Sequence, residues 1–422
     1  MRVTTAFNKL LAITAVTVMA VTFAPEGVIV SLRRRRRRPI CPCGWKGRAI
    51  HDRSIRRWRH LDLGASKLFF EAEIRRIYCR CCQRVRTEDV EWARAGARHS
   101  RDFEDVVAWL AQHTDKTTIT RLLRTSWETV AGIVGRVVAE HIDHRRLEGL
   151  YRIGVDEISW RKGHRYITVV ADHDQGGAVV WAGEGHDHKT LEKFYDALGE
   201  QGRSALQAVS LDMGYAYKFA TDRCAPQARQ CVDPFHVIKL ANTAIDKARR
   251  WAWNNERRAN PATRRRRPAD PSSPPGTSRW VKNTRWALVK DPATLNDRQL
   301  EILNTLRRQR SALYRCWQLK EALRDLYRLN LPDPGAHLDW WLNWASRSRV
   351  PSFVALARTI RANRDRIIAA VELGLSNSKL EGLNSKIRLI NHRGYGHHSA
   401  TALIAMIYLC CGGITVQLPT ER

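Results

Sequence analysis

Hydrophobic and polar residues alternate in three consecutive segments near the middle of the chain. The segments read RIGVDEISW (152–160), HRYITVVADHD (164–174) and GAVVWAGEG (177–185), and short RKG and QGG turns join them. A period of two residues is typical of strands, so the pattern predicts a β-meander. The segments that follow, up to residue 236, read alternately as helix and strand. Together they predict an α/β domain with a mixed sheet.

Helical spacing appears on both sides of this domain. Residues 102–141 contain three apolar stripes of helical period, with Ser126 in the N-cap position of the third. This arrangement predicts a helix-turn-helix, and a three-helix bundle without DNA contacts is the alternative. Residues 280–375 are helical in pattern and rich in tryptophan, and they follow a Pro/Arg/Ser-rich break at 256–279. They predict an inserted helical domain, whose tryptophans either fill a core or stack on unpaired bases.

The N-terminus allows two interpretations. The first 24 residues have the charged start and apolar run of a secretory signal peptide. Residues 16–32, however, form two runs rich in Val, Thr, Phe and Ile, separated by Pro-Glu-Gly at 25–27. This composition predicts a β-hairpin, which we favour. No other segment approaches 18 apolar residues, so no membrane span is predicted.

The charge balance points to a polyanionic partner. The 422 residues include 72 Lys and Arg against 42 Asp and Glu, a formal net charge of +30. Basic residues are dispersed along the chain as well as clustered at 33–38 and 264–267, which favours a long footprint on nucleic acid over an anionic membrane surface. The residues that we expect to contact DNA are Arg33, Arg34, Arg35, Arg36, Arg37, Arg38, Ser126, Thr129 and Arg136.

Five of the ten cysteines crowd into a short N-terminal region. RRPICPCGWKG and IYCRCCQR form two cysteine knuckles on either side of a strand-rich stretch. Four thiolates in this arrangement suit a closed, structural Zn²⁺ site, which we assign to Cys41, Cys43, Cys79 and Cys82. The first knuckle has the tight C-x-C spacing, and Cys81 is the alternative to Cys82. A redox pair or buried thiols without metal is the competing interpretation.

Three carboxylates are placed to form a second metal site. Asp156 lies within the first strand of the meander, and Asp212 ends the strand after the first helix. These strands can be neighbours in a mixed sheet, and the two charges would then favour a divalent cation between them. Glu381 belongs to the helical segment SNSKLEGLNSKI, on one stripe with Asn377 and Asn384. A third carboxylate there would complete a site for two Mg²⁺ (or Mn²⁺) ions suited to phosphodiester chemistry.

Other acids compete with these three. Glu157 is expected to point to the opposite face of the strand from Asp156, because side chains alternate. Asp172 and Asp174 stand at a hairpin turn, where Asp is common for backbone reasons. Asp172 remains a weaker alternative as a metal ligand.

The order GVDE, SLDMGYAY, DPFHVIKLAN and NSKLEGLNSKIRLINHRGYGHHS resembles the ISL-three family of bacterial insertion-sequence transposases over nearly the whole chain. The resemblance implies an RNase H-like domain with a DDE triad of Asp156, Asp212 and Glu381 that binds the Mg²⁺ ions. It also implies supporting roles for Asp233 and His236, while Asn377 and Asn384 are expected to hold the backbone or DNA beside Glu381.

The implied activity is binding of the terminal inverted repeats, followed by Mg²⁺-dependent strand cleavage and strand transfer into target DNA. A homodimer or larger assembly on double-stranded DNA and a cytoplasmic, nucleoid-associated location are expected. An inactive DNA-binding regulator and a nuclease without joining activity are the alternatives.

The sequence therefore predicts a multidomain α/β protein. We expect a β-rich zinc-binding module at 1–100, a helix-turn-helix at 101–148, and an RNase H-like mixed sheet flanked by helices. The first part of that catalytic domain is expected at 150–250, an all-α insertion at 251–375, and its last part, with Glu381, at 376–415.

Overall fold

A computed structural model describes residues 2–36, 38–259, 278–394 and 396–421. The chain divides into two compact units. Unit 1 comprises Met1–Arg146, Trp160–Gly163 and Lys386–Arg422, and unit 2 comprises Leu147–Ser159 and His164–Ser385. No helix within the described ranges is long and apolar enough to cross a membrane.

Unit 1 opens with helix α1 (Val3–Leu11) and a five-stranded sheet. The strands are β1 (Val16–Ala24), β2 (Gly27–Arg34), β3 (Asp52–Leu63), β4 (Ser66–Cys79) and β5 (Arg84–Thr87). The sheet order is β1-β2-β4-β3, and β5 pairs with β4. The antiparallel pairing of β1 with β2 confirms the predicted hairpin, although α1 was not predicted. Buried side chains that include Val30, Trp58 and Phe70 form the core.

Three helices follow in unit 1, as the sequence predicts. They are α2 (Arg101–His113), α3 (Lys116–Leu122) and α4 (Trp127–His141). The side chain of Ser126 accepts a hydrogen bond from the backbone N–H of Thr129, so the predicted N-cap of α4 is confirmed. The last helix of the chain, α16 (Ala400–Cys411), packs against α2 and α4, and Gln112 of α2 donates to the carbonyls of Leu409 and Ile414.

Unit 2 contains the predicted mixed sheet. Its strands are β6 (Arg152–Arg161), β7 (Arg165–Asp172), β8 (Val179–Glu184), β9 (Ala208–Leu211) and β10 (Arg229–Val232), in the order β10-β9-β6-β7-β8. β7 and β8 are antiparallel, whereas β9 runs parallel to both β6 and β10. Helix α5 (His188–Ala205) connects β8 to β9, helix α6 (Tyr215–Cys224) connects β9 to β10, and both bury an apolar side against the sheet.

The described residues between β10 and the SNSKLEGLNSKI segment fold into helices, joined at one point by a short 3₁₀ turn. The helices are α7 (Pro234–Ala259), α8 (Ser278–Asn283), α9 (Arg285–Val289), α10 (Asp297–Arg308), α11 (Ala312–Arg328), α12 (Pro334–Ser346), α13 (Pro351–Ala362) and α14 (Arg364–Glu372). Trp341 is fully buried in their common core with Leu319, Leu323 and Phe353. Helix α15 (Ser378–Arg393) comes next.

The first four residues of the predicted break at 256–279 are helical. Helix α7 continues to Ala259 and spans the boundary expected at 250/251. Pro261 is the first proline after the start of this helix, so nothing before it removes a backbone donor. Most of the predicted break, with the basic run at 264–267, lies outside the described residues.

Candidate functional site

Three aspartates lie at one edge of the parallel part of the sheet in unit 2. β6 pairs with β9 and β9 with β10, all in parallel. Asp156 lies on β6, while Asp212 and Asp233 directly follow β9 and β10. The prediction that the first strand of the meander and the strand after the first helix are neighbours is therefore confirmed by the pairing of β6 with β9.

Asp156 is held from two sides. One carboxylate oxygen accepts the backbone N–H of Glu157 at 2.8 Å, and the other accepts the side-chain amide of Asn384 on α15 at 2.6 Å. Burial raises the pKa of Asp156, and the neighbouring carboxylate of Asp212 raises it further, while both hydrogen bonds act in the opposite direction. The site thus carries negative charge that the surrounding protein only partly compensates.

Glu157 follows Asp156 in β6 and is electrostatically coupled to the acidic cluster. Burial raises the pKa of Glu157 to about 7, and the carboxylates of Asp212 and Asp156 raise it as well. Tyr217 acts in the opposite direction on this pKa. Asp156 binds Asn384 of α15, whereas the neighbouring Val155 packs in the core with Tyr217, so the side chains of β6 alternate between two faces as predicted.

A glycine turn fixes the position of Asp212. The backbone N–H of Gly214 donates to Asp212 Oδ1 at 2.7 Å, and a Cβ at Gly214 would lie only 2.8 Å from that oxygen. Arg366 of α14 donates to the backbone carbonyl of Asp212 at 3.0 Å. No motif in the sequence had pointed to Arg366.

Asp233 links the end of β10 to two other elements. Its Oδ2 lies 3.1 Å from Nδ1 of His236, and its Oδ1 accepts the backbone N–H of Asn377 at 3.0 Å. The hydrogen bond with Asp233 is the main reason that the pKa of His236 is raised, and the charges of Asp156 and Asp212 contribute. Asp233 and His236 thus form a contact pair beside the other acids.

Helix α15 is tied to the sheet at both ends of its polar stripe. The buried side chain of Asn377 accepts a hydrogen bond from Ser210 of β9, and Asn384 donates to Asp156. Glu381 lies between these two residues, and its backbone N–H donates to the carbonyl of Asn377 at 2.8 Å. Because residues four before and three after Glu381 are anchored, its helical turn lies near Asp156 of β6 and Ser210 of β9.

The hairpin acids have backbone and ion-pair roles. Asp172 accepts the backbone N–H of Asp174 at 2.8 Å, and Asp174 pairs with Arg152. These contacts agree with the turn interpretation of both residues.

Four thiols in unit 1 form a compact cluster. The sulfurs of Cys41, Cys43, Cys79 and Cys82 lie within 4.8 Å of one another. The Cys41–Cys82 and Cys43–Cys79 sulfur distances are 3.9 and 3.5 Å. Zn–S bonds of about 2.3 Å in a tetrahedron place sulfurs about 3.8 Å apart, so the set fits Zn²⁺. Cys81 is exposed and outside this group. The four-cysteine cluster supports a structural zinc ion.

The arginines expected on DNA differ in their surroundings. Arg34 forms an ion pair with the buried carboxylate of Glu88, and Arg36 pairs with Glu91 at 3.1 Å. The side chains of Arg33, Arg35 and Arg38 are exposed, whereas Arg37 lies outside the described residues.

The helix-turn-helix residues are likewise partly engaged. Arg136 donates to the buried carboxylate of Glu104 on α2 at 2.9 and 2.5 Å. The hydroxyls of Ser126 and Thr129 lie 2.9 Å apart at the start of α4. Ser126 is exposed and Thr129 half-buried, so the start of α4 faces solvent.

Comparisons with known proteins agree with this layout. A transposase family model matches residues 153–407, a model for the helix-turn-helix domain of transposase family ISL3 matches 88–138, and a zinc-finger model of the IS204/IS1001/IS1096/IS1165 transposases matches 37–82. The transposase for insertion sequence element IS1557 of Mycobacterium tuberculosis is 41% identical over 411 residues, covering 94% of this chain and 91% of its own length.

A second relative is more distant. The transposase for insertion sequence element IS1001 of Bordetella parapertussis is 26% identical over 358 residues, covering 84% of each chain. The matches cover the cysteine cluster, the three helices and the acidic sheet edge. The chain therefore belongs to the ISL3 family of transposases, with a zinc-ribbon and a helix-turn-helix domain ahead of its transposase domain.

Proposed function

We propose that this chain is a DDE transposase that cleaves the ends of an insertion sequence and joins them to target DNA, with Asp156, Asp212 and Glu381 as catalytic acids. The observation that carries the proposal is the anchoring of α15. Asn377 and Asn384 bind this helix to the sheet, and Glu381 lies between them. A carboxylate on that turn would join the two strand-borne aspartates.

The architecture of unit 2 supports the RNase H-like fold that the resemblance implies. Its five-stranded sheet combines a meander with two parallel strands, and helices separate the parallel strands in sequence. The helices α8 to α14 stand between β10 and α15 in the chain, which is the place of the proposed all-α insertion. We infer the domain layout of the whole chain on the same basis.

The donor set at the acidic edge fits Mg²⁺. Its ligand groups are carboxylates, the type that hard cations prefer, and burial makes their charges costly without a cation. Asp156, Asp212 and Glu381 would hold the ions. When bound, two Mg²⁺ ions would favour an attacking oxygen and stabilise the leaving oxygen in phosphodiester chemistry.

The chain's own residues prepare this site. Gly214 and Arg366 fix the loop that carries Asp212, and Asn384 fixes the carboxylate of Asp156. His236 is paired with Asp233 at 3.1 Å, and this hydrogen bond raises the pKa of the imidazole, which favours its charged form beside the acids. Water would attack a phosphodiester first, and the freed 3′-hydroxyl would then attack target DNA without a covalent protein intermediate.

The N-terminal domains would select the DNA. The zinc ribbon and the helix-turn-helix would bind the terminal inverted repeats, with exposed arginines such as Arg33 and Arg35 on phosphates. We expect a homodimer or larger assembly on the DNA, because two element ends must be brought together.

An end-cleavage and joining assay tests the proposal. Wild-type protein with Mg²⁺, labelled terminal-repeat DNA and a target plasmid should give cut and joined products. Asp156→Asn, Asp212→Asn and Glu381→Gln should each abolish cleavage and retain end binding, whereas Asp196→Asn, an exposed acid on α5, should be active. Cuts without joining would favour a nuclease, intact DNA a regulator, and normal cleavage by a triad variant would disprove that assignment.

A further inference from the structure

Two exposed aromatic side chains flank the acidic sheet edge of unit 2. Tyr215 is 75% exposed and Phe235 is 49% exposed. Tyr215 begins α6 three residues after Asp212, and Phe235 lies in the first turn of α7 two residues after Asp233. Because β9 and β10 are paired in parallel, both helix starts lie at the same edge of the sheet.

The ring of Tyr215 is oriented but not covered. Tyr215 directly follows Gly214, and the backbone N–H of Gly214 donates to the carboxylate of Asp212. The ring stacks on Phe219 with centroids 5.7 Å apart, and Phe219 in turn meets His188 edge-on at 5.3 Å. This row of rings supports Tyr215 from within α6 while three quarters of its surface remains open to solvent.

Phe235 has a similar position on the neighbouring strand. Its ring centroid lies 5.6 Å from that of His236, the residue that pairs with Asp233. The ammonium of Lys239 lies 5.8 Å from the ring centroid of Phe235. An aromatic face with a cation beside it suits a base and its phosphate.

We propose that Tyr215 and Phe235 stack on unpaired bases of the DNA strand that is presented to the acidic cluster. Inside a duplex the faces of each base are covered by its neighbours, so a free ring can stack only where bases are unpaired. The net charge of +30 provides the attraction for the backbone. This inference rests on the proposed function, since it assigns these rings to the DNA that the transposase would cut.

A binding experiment in EDTA separates this inference from catalysis. The affinity of the full-length chain for three DNA molecules is measured by fluorescence anisotropy. The first is a blunt duplex, the second is the same duplex with an unpaired oligothymidine arm (the fork), and the third has an arm that lacks bases. Tyr215→Ala and Phe235→Ala are compared with Tyr215→Phe and with Tyr151→Ala. Tyr151 is 48% exposed but lies beside Gln207, at the opposite ends of the parallel strands.

We expect the wild type to bind the forked duplex more tightly than the blunt one. Each alanine variant at Tyr215 or Phe235 should lose about 5- to 150-fold in affinity for the fork, because stacking contributes about 1–3 kcal/mol per base. The alanine variants should bind the blunt duplex as tightly as the wild type does. Tyr215→Phe and Tyr151→Ala should bind the fork with wild-type affinity. On the arm without bases, the alanine variants and the wild type should have equal affinity.

Two results would overturn the assignment. One is equal fork binding by the wild type and the alanine variants, and the other is a defect that persists on the arm without bases or on the blunt duplex. A wild-type protein that shows this binding pattern but no Mg²⁺-dependent cleavage would disprove the proposed activity and leave the stacking residues in place.

Discussion

Replacing Asn384 by alanine should loosen α15 from the sheet. The side chain is buried, and its Nδ2 donates to the carboxylate of Asp156 at 2.6 Å. Within the described part of the chain, the amide oxygen of Asn384 has no hydrogen-bond partner. The hydrogen bond to Asp156 is therefore the polar interaction through which this side chain stabilises the fold. A hydrogen bond to a charged group contributes about 1.5–3 kcal/mol, and we expect the free energy of unfolding to fall by that amount.

Urea unfolding without divalent cations measures the effect. Asn391→Ala is the matched control, because Asn391 lies on the same helix and donates at 2.9 Å to a neutral acceptor, the backbone carbonyl of Trp160. The free energy of unfolding of Asn391→Ala should fall by about 0.5–1.5 kcal/mol. The Asn384 bond favours ionised Asp156, so the loss in Asn384→Ala should shrink as the pH falls and that carboxyl becomes protonated. A loss no larger than in Asn391→Ala, or one independent of pH, would refute this account of the site.

Three further predictions concern unit 1. Cys43→Ser should remove the bound zinc and unfold the zinc ribbon, whereas Cys81→Ser should keep about one zinc per chain in a metal assay. Burial lowers the pKa of His60 from 6.5 to about 4, so the unfolded state takes up a proton before the folded state as the pH falls. The free energy of unfolding should therefore decrease by up to about 3 kcal/mol between pH 6.5 and 4. Urea titrations of His60→Gln should show a shallower decrease over the same range. Arg34→Ala should destabilise the sheet by about 1.5–3 kcal/mol, because the buried carboxylate of Glu88 loses one of its two arginine partners and keeps Arg75. Arg33→Ala should leave stability unchanged and weaken DNA binding and its salt dependence; the reverse result would place Arg34 on DNA.

The adjacency of Asp156 and Asp212 could be predicted from the sequence because it follows from topology. The patterns reveal a meander followed by helix, strand, helix and strand, and a parallel pair of strands brings its carboxyl ends to one edge. The caps of the helices are equally local, so the hydroxyl of Ser126 could be assigned from three residues of context.

The contacts that complete the site could not be predicted, because they join distant parts of the chain. Asn384 and Asp156 are 228 residues apart, and nothing in either segment specifies the other. Arg366 reaches the carbonyl of Asp212 across 154 residues.

The packing of α16 on the helix-turn-helix has a consequence for protein synthesis. α2 and α4 leave the ribosome long before α16, which supplies part of their shared apolar contact surface and the carbonyl partners of Gln112. A nascent or prematurely terminated chain that lacks the last helix exposes the apolar faces that α16 covers. Truncated copies of such a gene would therefore yield fragments prone to degradation.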